Sequence, residues 1–284
     1  MQIQWYPGHM TKARRMMEEN IKLIDLVIEI IDARAPLSTR NPDIDTLSVG
    51  KFRMILLNKS DMSDKNDNIK WCNYFESKGI KCIEVNSKTG LGIKGIDKTI
   101  KEVCKEKIER DRKRGILNRP IRCMIVGIPN VGKSTFINAI AGKACTKTGN
   151  KPGVTKGKQW ISIKKDLELL DTPGILWPKF EDETIGIKLA LIGSINDEIL
   201  DINELSLNLI DILKDKYPGV ISNKYGIDEN NSNLEILMQY TLLRNLLKSK
   251  GEPDLERGAR LLTDDFRSNR LGFLTLDYIP KEKE

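Results

Sequence analysis

The stretch GIPNVGKS, from Gly127 to Ser134, decides the fold class of this chain. It fits the pattern G-x-x-x-x-G-K-[ST], it follows the apolar run Cys123–Val126, and it opens the apolar stretch Thr135–Ile140. A phosphate-binding loop requires this context of strand, loop and helix, because backbone N–H groups at the helix N-terminus then face phosphate oxygens. The sequence therefore predicts a P-loop nucleotide site.

The side chains of this loop have distinct predicted roles. The Lys133 ammonium is expected to neutralise the β- and γ-phosphates, and the Ser134 hydroxyl is expected to bind magnesium. The predicted nucleotide contacts here are Asn130, Val131, Gly132, Lys133, Ser134 and Thr135. A glycine-rich turn with a surface lysine is the structural alternative, and the strand and helix on either side disfavour it.

The tetrapeptide DTPG, Asp171–Gly174, follows the apolar run Leu167–Leu170. An aspartate at the carboxyl end of a strand is placed to hold the hydration shell of a magnesium ion, and the Gly174 N–H is placed to reach a γ-phosphate oxygen. DTPG alone is a common turn. Downstream of a phosphate loop it predicts a switch that senses the γ-phosphate.

The tetrad NKSD, Asn58–Asp61, follows the run Arg53–Leu57 and precedes the phosphate loop in the chain. The Asp61 carboxylate matches the N1–H and exocyclic amine of guanine, whereas adenine lacks that pair of donors. Asn58 is expected to brace the base or the loop, and the Lys59 stem is expected to cover one face of the ring. Asx-rich turns are frequent, so NKSD is weak by itself; beside a phosphate loop it predicts selection of GTP over ATP.

Short apolar runs alternate with helical patterns in the first two thirds of the chain, which is typical of an α/β fold with a mainly parallel sheet and helices on both faces. The expected strands are Leu26–Ile31, Arg53–Leu57, Cys82–Val85, Cys123–Val126, Trp160–Ile163 and Leu167–Leu170, the last two forming an edge hairpin. Ser87 and Lys88 follow the third of these and are predicted to close the other side of the base. A charged helix is predicted over Ile93–Arg112.

Beyond about residue 182 the alternation of strands and helices ends, and only helical patterns follow. Helices are predicted from Ile202 to Tyr217 behind an Asp201–Glu204 capping box, from Leu234 to Lys248, and from Asp254 to Ser268. The sequence therefore predicts two domains, a nucleotide-binding domain of residues 1–182 and a small helical domain of residues 183–284.

The composition argues against a membrane-spanning protein and against a secreted one. No apolar run approaches the roughly 20 residues that span a bilayer, and the N-terminal residues lack the apolar core of a secretory signal. The five cysteines have no CxxC spacing, which favours reduced thiols in a cytosol over zinc or disulfides. We therefore expect a cytoplasmic protein that has no membrane partner.

Charge is distributed unevenly along the chain. Residues 1–190 hold 35 Lys and Arg against 23 Asp and Glu, whereas residues 191–284 hold 12 against 17. The lysines of residues 143–165 suit a polyanion such as RNA or a nucleotide. A solvated, mobile loop is an equally good interpretation of that stretch.

The order of the motifs, with NKSD and SKTG ahead of the phosphate loop, PGVT and DTPG, resembles the order in circularly permuted GTPases. Five segments are similar to the YlqF/RbgA family: WYPGHM at 5–10, DARAP at 32–36, KPGVTKG at 151–157, LLDTPGILWPKF at 169–180 and DLERGARLLTDDFRSNRLG at 254–272. This resemblance covers nearly the whole chain. It implies a circularly permuted GTPase domain and a helical domain that binds RNA or the ribosome.

The resemblance also implies a function. The chain is expected to bind GTP, to hydrolyse it to GDP and phosphate when a ribosomal particle activates it, and to assist late assembly of the large subunit. Its expected partners are the large-subunit precursor and its rRNA, and it is expected to be a monomer. Two alternatives stay open: an RNA-binding assembly scaffold with incidental turnover, and a permuted GTPase that acts on the small subunit.

Four positions have roles that follow from comparison with other GTPases. Thr155 matches the family's magnesium-binding threonine, within a first switch expected at residues 147–158. Ile175 stands where many GTPases carry a glutamine that orients water, so slow intrinsic turnover is predicted. His9, the one histidine, is the candidate for that role, against a packed or surface histidine. Asn130 matches GTPases that use potassium, against an asparagine that bonds its own backbone.

Overall fold

The computed structural model describes residues 8–117, 119–142, 159–177, 182–195 and 201–280, with side chains at all of these except residues 8–10, 13, 159 and 164. The chain divides into two compact units. Unit 1 contains the residues up to Glu181 and those from Asp277 onward, and unit 2 is Asp182–Leu276.

Unit 1 is built on a six-stranded sheet within the described residues. Its strands are Leu26–Asp32 (β1), Phe52–Asn58 (β2), Lys81–Val85 (β3), Ile121–Val126 (β4), Gln159–Lys164 (β5) and Leu167–Asp171 (β6). They lie in the order β3-β2-β1-β4-β6-β5, and every neighbouring pair is parallel except the antiparallel pair of β5 and β6. The mainly parallel sheet and its edge hairpin are confirmed.

The helices of unit 1 pack apolar side chains on this sheet. They are Gly8–Asn20 (α1), Pro42–Leu47 (α2), Lys65–Ser77 (α3), Ile96–Val103 (α4), Lys105–Lys113 (α5) and Lys133–Ala141 (α6), with short 3-10 turns at Ile21–Leu23 and Ser60–Met62. Trp71 and Phe75 of α3 are fully buried beside Ile55 and Leu57 of β2. Burying such side chains stabilises the fold by about 1.5–3 kcal/mol each.

The single helix predicted over Ile93–Arg112 is wrong in one respect, because α4 and α5 are separate helices with Cys104 between them. The Cys104 side chain is buried. The buried Lys107 ammonium lies near two carboxylates, 2.8 Å from Asp111 and 3.6 Å from Asp25. Periodicity did not reveal this, since both halves carry the same charged helical pattern.

Unit 2 is helical in its described residues. Its helices are Glu183–Leu191 (α7), Ile202–Lys216 (α8), Val220–Tyr225 (α9), Asn233–Leu243 (α10) and Leu255–Arg267 (α11). Asp201 caps α8 as predicted, but its carboxylate accepts from the Asn203 N–H, and the reciprocal bond from Glu204 of the predicted capping box is not part of this cap. The helix predicted from Asp254 begins one residue later, at Leu255, with Asp254 as its cap. The helix predicted over Leu234–Lys248 ends five residues earlier, because Asn245 adopts a left-handed backbone (φ 52°) and the chain turns.

The last described residues return to unit 1, whereas the sequence assigned all of 183–284 to the second domain. Asp277 is buried and hydrogen-bonds Ser38, and Ile279 packs on the cluster around Trp71 and Phe75. These contacts join residues between 204 and 239 positions apart, which helical periodicity has no means to indicate. Among the described residues, no helix is both long and apolar enough to cross a bilayer.

Candidate nucleotide site

The predicted site residues lie where the parallel strands end. β1 is central, with β2 on one side and β4 on the other, and β6 lies beyond β4. Because the strands are parallel, the loops after them meet at one edge of the sheet, which is where α/β folds bind ligands. NKSD, the phosphate loop and DTPG are three of these loops.

The phosphate loop joins β4 directly to α6. Gly132 caps α6 with a left-handed backbone (φ 100°), which side chains rarely adopt. A Cβ added there would lie 2.3 Å from the Asn58 amide nitrogen. The glycine is therefore needed for the turn and also for the close approach of the NKSD loop.

NKSD and the phosphate loop are in direct contact, although more than 70 residues separate them in the chain. The Asn58 amide donates to the Val131 carbonyl at 2.6 Å, and the Lys59 ammonium donates to the Asn130 carbonyl at 2.9 Å. The predicted base-selecting and phosphate-binding elements are thus adjacent in the fold. Asp61 lies in the exposed 3-10 turn that follows.

Asn58 also holds the segment predicted to close the base pocket. Its amide oxygen accepts hydrogen bonds from the Ser87 N–H at 3.0 Å and the Ser87 hydroxyl at 2.8 Å. The Asn86 amide oxygen accepts from the N–H groups of Lys88 and Thr89. Asn58 therefore hydrogen-bonds both the phosphate loop and the segment at Ser87; its predicted role in bracing the base or the loop stays a prediction.

Lys59 is held by an ion network at the end of β1. The sequence analysis assigned no role to the other members of this network, Asp32 and Arg34. The buried Asp32 carboxylate lies 2.7 Å from the Lys59 ammonium and 2.7 Å from the Arg34 guanidinium. Burial alone would raise the pKa of Asp32, but the charges of Arg34 and Lys59 hold it well below its usual value. The position of Asp32 in the sequence could have indicated this role. Asp32 and Asn58 pair in the parallel register and end adjacent strands, so their side chains belong to the same edge of the sheet.

Lys133, Asp171 and Gly174 converge on the other side of the loop. The Lys133 ammonium is buried and donates to the Ile128 carbonyl at 2.7 Å. Burial lowers the pKa of Lys133 to about 8, while the Asp171 carboxylate opposes that shift. A Cβ at Gly174 would lie 2.8 Å from the Lys133 ammonium, so DTPG packs closely on the phosphate loop.

The position after DTPG holds a buried apolar side chain. Ile175 is 4% exposed, its N–H donates to the Gly127 carbonyl at 3.4 Å, and its carbonyl accepts from the Asn41 amide at 3.2 Å. Such a side chain has no group that orients a water molecule. Two other predicted participants are not covered: Thr155 and the switch at 147–158 lie outside the described residues, and only the backbone of His9 is described, within α1.

Comparisons with known proteins identify the family to which the chain belongs. A family model described as a 50S ribosome-binding GTPase matches residues 122–244, a range that contains the phosphate loop and DTPG and begins after NKSD. Ribosome biogenesis GTPase A of Priestia megaterium is 45% identical over 286 residues, covering 100% of this chain and 99% of that protein. The chain belongs to the ribosome biogenesis GTPase A family. The Thermotoga maritima member is 33% identical over 275 residues, covering 97% of this chain and 94% of that protein.

Two solved structures of YlqF from T. maritima are similar over nearly the whole chain. The GNP-bound structure is 29% identical with a TM-score of 0.65, covering 94% of this chain and 97% of that one. The GDP-bound structure is 28% identical with a TM-score of 0.65, covering 92% and 97%. The protein is thus a GTPase of ribosome biogenesis with the permuted motif order of its family.

The family implies a divalent metal ion, and the residues present fit one. Ser134 lies in the first turn of α6, and Asp171 ends β6 as a buried carboxylate whose charge acts on Lys133; magnesium prefers hydroxyl and carboxylate oxygen ligands of this kind. In the described part of the chain, no three His, Cys, Asp or Glu side chains form a cage.

The Gly174 contact yields a prediction about the two nucleotide states. Gly174→Ala should weaken binding of a non-hydrolysable GTP analogue about tenfold or more and change GDP affinity about twofold at most. The added Cβ would meet the Pro129 backbone nitrogen at 2.8 Å, so DTPG must move off the loop where a γ-phosphate would lie. Calorimetric titration with both nucleotides measures the ratio.

The matched control is Gly142→Ala at the end of α6. A Cβ there meets nothing within 4 Å, but the backbone is left-handed, so the protein should lose stability without favouring either nucleotide. Equal loss of analogue and GDP binding in Gly174→Ala would contradict the prediction.

Proposed function

We propose that the site at the end of the sheet binds GTP and GDP, and that hydrolysis is activated by the large-subunit precursor to which the protein binds. The observation that carries the proposal is the pair of hydrogen bonds from Asn58 and Lys59 to the carbonyls of Val131 and Asn130. These bonds bring NKSD next to the phosphate loop, which supports a nucleotide bound with its base at NKSD and its phosphates at the loop.

Guanine is selected by Asp61, with Asn58, Lys59, Ser87 and Lys88 shaping the pocket. The carboxylate accepts from N1–H and the exocyclic amine, a pattern that adenine does not offer. Lys59 reaches this position because Asp32 binds its ammonium at 2.7 Å. With the ammonium bound to Asp32 and to the Asn130 carbonyl, the Lys59 stem is proposed to cover the base.

The phosphates are held by the N–H groups from Asn130 to Thr135, by Lys133 and by the Gly174 N–H. Bound magnesium would be held by Ser134, Asp171 and Thr155, and it would supply charge neutralisation between the β- and γ-phosphates. Asn130 is the proposed potassium ligand. A higher hydrolysis rate in potassium than in sodium chloride supports that assignment, and equal rates refute it.

Hydrolysis needs a group that positions water, and Ile175 does not provide one because its side chain is apolar and buried. We assign that group to His9, brought to the γ-phosphate when the particle binds. The free protein should then hydrolyse GTP slowly. In this proposal, binding of the particle triggers hydrolysis. The protein therefore keeps its GTP until it has bound the particle.

The partner is proposed to be the large-subunit precursor and its rRNA, met in the cytoplasm by a monomer. The matched family model carries the description of a 50S ribosome-binding GTPase, which favours this particle. Sedimentation with large and small subunits, in GTP analogue, GDP or no nucleotide, tests the proposal. Co-sedimentation with the large subunit in the analogue state supports it, and binding to the small subunit alone supports the alternative that the protein acts there.

Unit 2 supplies an arginine pair suited to rRNA phosphates. Arg270 and Arg244 both bind the buried Asp265 carboxylate, which also accepts from the hydroxyls of Tyr225 and Tyr240. Arg270 remains 55% exposed at its side chain. By contrast, Arg267 donates to the carbonyls of Ala190 and Leu191, so its guanidinium is engaged within the unit.

Arg270→Ala should weaken binding to the large subunit and flatten the plot of log affinity against log salt by about one unit, because one phosphate contact is lost. The control is Lys105→Ala in α5, which removes the same charge from an exposed side chain of unit 1. Binding assays at several salt concentrations measure both slopes. Identical slopes in the two variants would remove Arg270 from the interface.

A second candidate is an assembly scaffold whose affinity for RNA is set by the nucleotide and whose turnover is incidental. The apolar Ile175 is the observation that favours it. Multiple-turnover hydrolysis with and without large subunits separates the two functions. Stimulation by the particle favours the activated GTPase, and an unchanged slow rate favours the scaffold.

A further inference from the structure

The segment Asp32–Asn41, which follows β1, contacts both ends of the nucleotide site and is held by one residue from far along the chain. We propose that this residue, Asp277, is a positioning residue for nucleotide binding: it fixes the Asp32–Asn41 segment and, through it, Lys59 and the backbone at Ile175. The proposal rests on the nucleotide site proposed above and extends it to a residue outside every GTPase motif of the chain.

The beginning of the segment is attached to NKSD. The Ala33 N–H donates to the Asn58 carbonyl at 2.8 Å, and the Asp32 carboxylate lies 2.7 Å from the Lys59 ammonium. Arg34 completes the ion network and is itself only 3% exposed. A displacement of this end therefore displaces the lysine that is proposed to cover guanine.

The end of the segment is attached to the residue after DTPG. The Asn41 amide donates to the Ile175 carbonyl at 3.2 Å, and the Asn41 N–H donates to the buried Glu29 carboxylate of β1 at 3.2 Å. Asn41 is 2% exposed, so neither bond competes with bulk water. A displacement of this end therefore displaces the backbone that carries the proposed γ-phosphate sensor.

The segment is closed on itself, so its two ends are mechanically linked. The Thr39 hydroxyl accepts from the Asp32 N–H at 3.1 Å and donates to the Ala35 carbonyl at 2.7 Å. Thr39 is fully buried. These bonds hold the Asp32–Asn41 segment in one compact conformation. A displacement of its middle is therefore expected to move both ends.

Asp277 holds that middle. One carboxylate oxygen accepts from the N–H groups of Leu37 and Ser38, both at 2.8 Å, and the other accepts from the Ser38 hydroxyl at 2.7 Å. Hydrogen bonds to a charged acceptor are about twice as strong as neutral ones, and Asp277 is 3% exposed. Three such bonds on two successive residues fix both the position and the orientation of the loop.

The location of Asp277 in the chain gives this contact a consequence. The chain leaves unit 1 after Glu181, a few residues beyond DTPG, and it re-enters unit 1 at Asp277. The first residue after the helical unit is thus the residue that binds the Asp32–Asn41 segment. Both covalent links between the units therefore connect to nucleotide-site elements, one through DTPG and one through Asp277.

The test compares nucleotide affinity and stability in full-length variants. Asp277→Ala should weaken binding of GDP and of a GTP analogue about tenfold, within the usual range of coupling between linked sites. Ser38→Ala removes one of the three bonds and should weaken binding about threefold. Ile279→Ala is the control, because Ile279 packs the same C-terminal segment on the Trp71 and Phe75 cluster without bonding the loop. It should lower the melting temperature and leave affinities within about twofold.

Hydrogen exchange supplies a second readout that a merely structural residue would not move. In the wild type, GDP should slow exchange at the amides of Leu37 and Ser38, and in Ser38→Ala that protection should shrink. If Asp277→Ala does not fold, the comparison of Ser38→Ala with Ile279→Ala decides the matter. Affinity loss that merely follows melting temperature in all variants, or wild-type affinity in Asp277→Ala, overturns the proposal. A wild-type protein that binds no guanine nucleotide overturns the proposed function instead.

Discussion

Asp61→Asn should lose at least about 100-fold in GTP affinity and bind xanthosine triphosphate in its place. The carboxylate offers two acceptors to the two donors of guanine, whereas an amide offers one donor and one acceptor. Xanthine carries a carbonyl where guanine carries its amine, so the amide pairs with it and the carboxylate does not. A site built for a hydrogen-bonding pattern rejects the mismatched base because buried polar groups are left unpaired.

The substitution suits the position because Asp61 is exposed, in the 3-10 turn Ser60–Met62, so the fold should tolerate it. Asp64→Asn is the matched control: Asp64 caps α3 by accepting from the Asp67 N–H, and asparagine caps helices equally well. Calorimetric titration of both variants with guanosine and xanthosine nucleotides gives the four affinities. Unchanged GTP affinity in Asp61→Asn would remove NKSD from the base site.

His9→Ala should lower large-subunit-stimulated GTP hydrolysis about 100-fold and leave GTP affinity unchanged. The argument starts from Ile175, which is buried and apolar at the position where other GTPases orient water. His9 is the one histidine of the chain, and it lies in α1, outside the sheet and its motif loops. The proposal is that the partner brings His9 to the γ-phosphate.

The measurement is the hydrolysis rate at saturating large subunits, so that weaker binding does not imitate slower chemistry. Lys12→Ala is the control, since Lys12 is an exposed residue of the same helix. It should change the particle concentration needed for half-maximal stimulation and leave the maximal rate intact. Full stimulation in His9→Ala would assign the water-positioning group to the particle itself.

Much of the nucleotide site could be predicted because its parts are local. GIPNVGKS, DTPG and NKSD each follow an apolar run, and the parallel sheet places the ends of those runs together. The contact of Asn58 with Val131 then follows from β2 and β4 flanking β1. The pattern of apolar runs and the residues of the loops that follow them were therefore sufficient to predict that these three loops meet.

The remaining features depend on contacts that spacing does not encode. The break between α4 and α5 lies three residues before Lys107, which is buried with Asp25 and Asp111. The Asp277 contact with Ser38 spans 239 positions, and Asp277 follows a helical unit, so it looked like part of that unit. Buried polar groups of this kind are found only when the fold shows which partners satisfy them.

The central claim is that two distant segments, NKSD and the phosphate loop, form one site for a guanine nucleotide. The most direct measurement is calorimetric titration of the wild-type protein with GDP and with ADP under the same conditions, with magnesium present. We expect GDP to bind with one-to-one stoichiometry and ADP at least about 100-fold more weakly. Equal affinities for the two nucleotides would contradict the account.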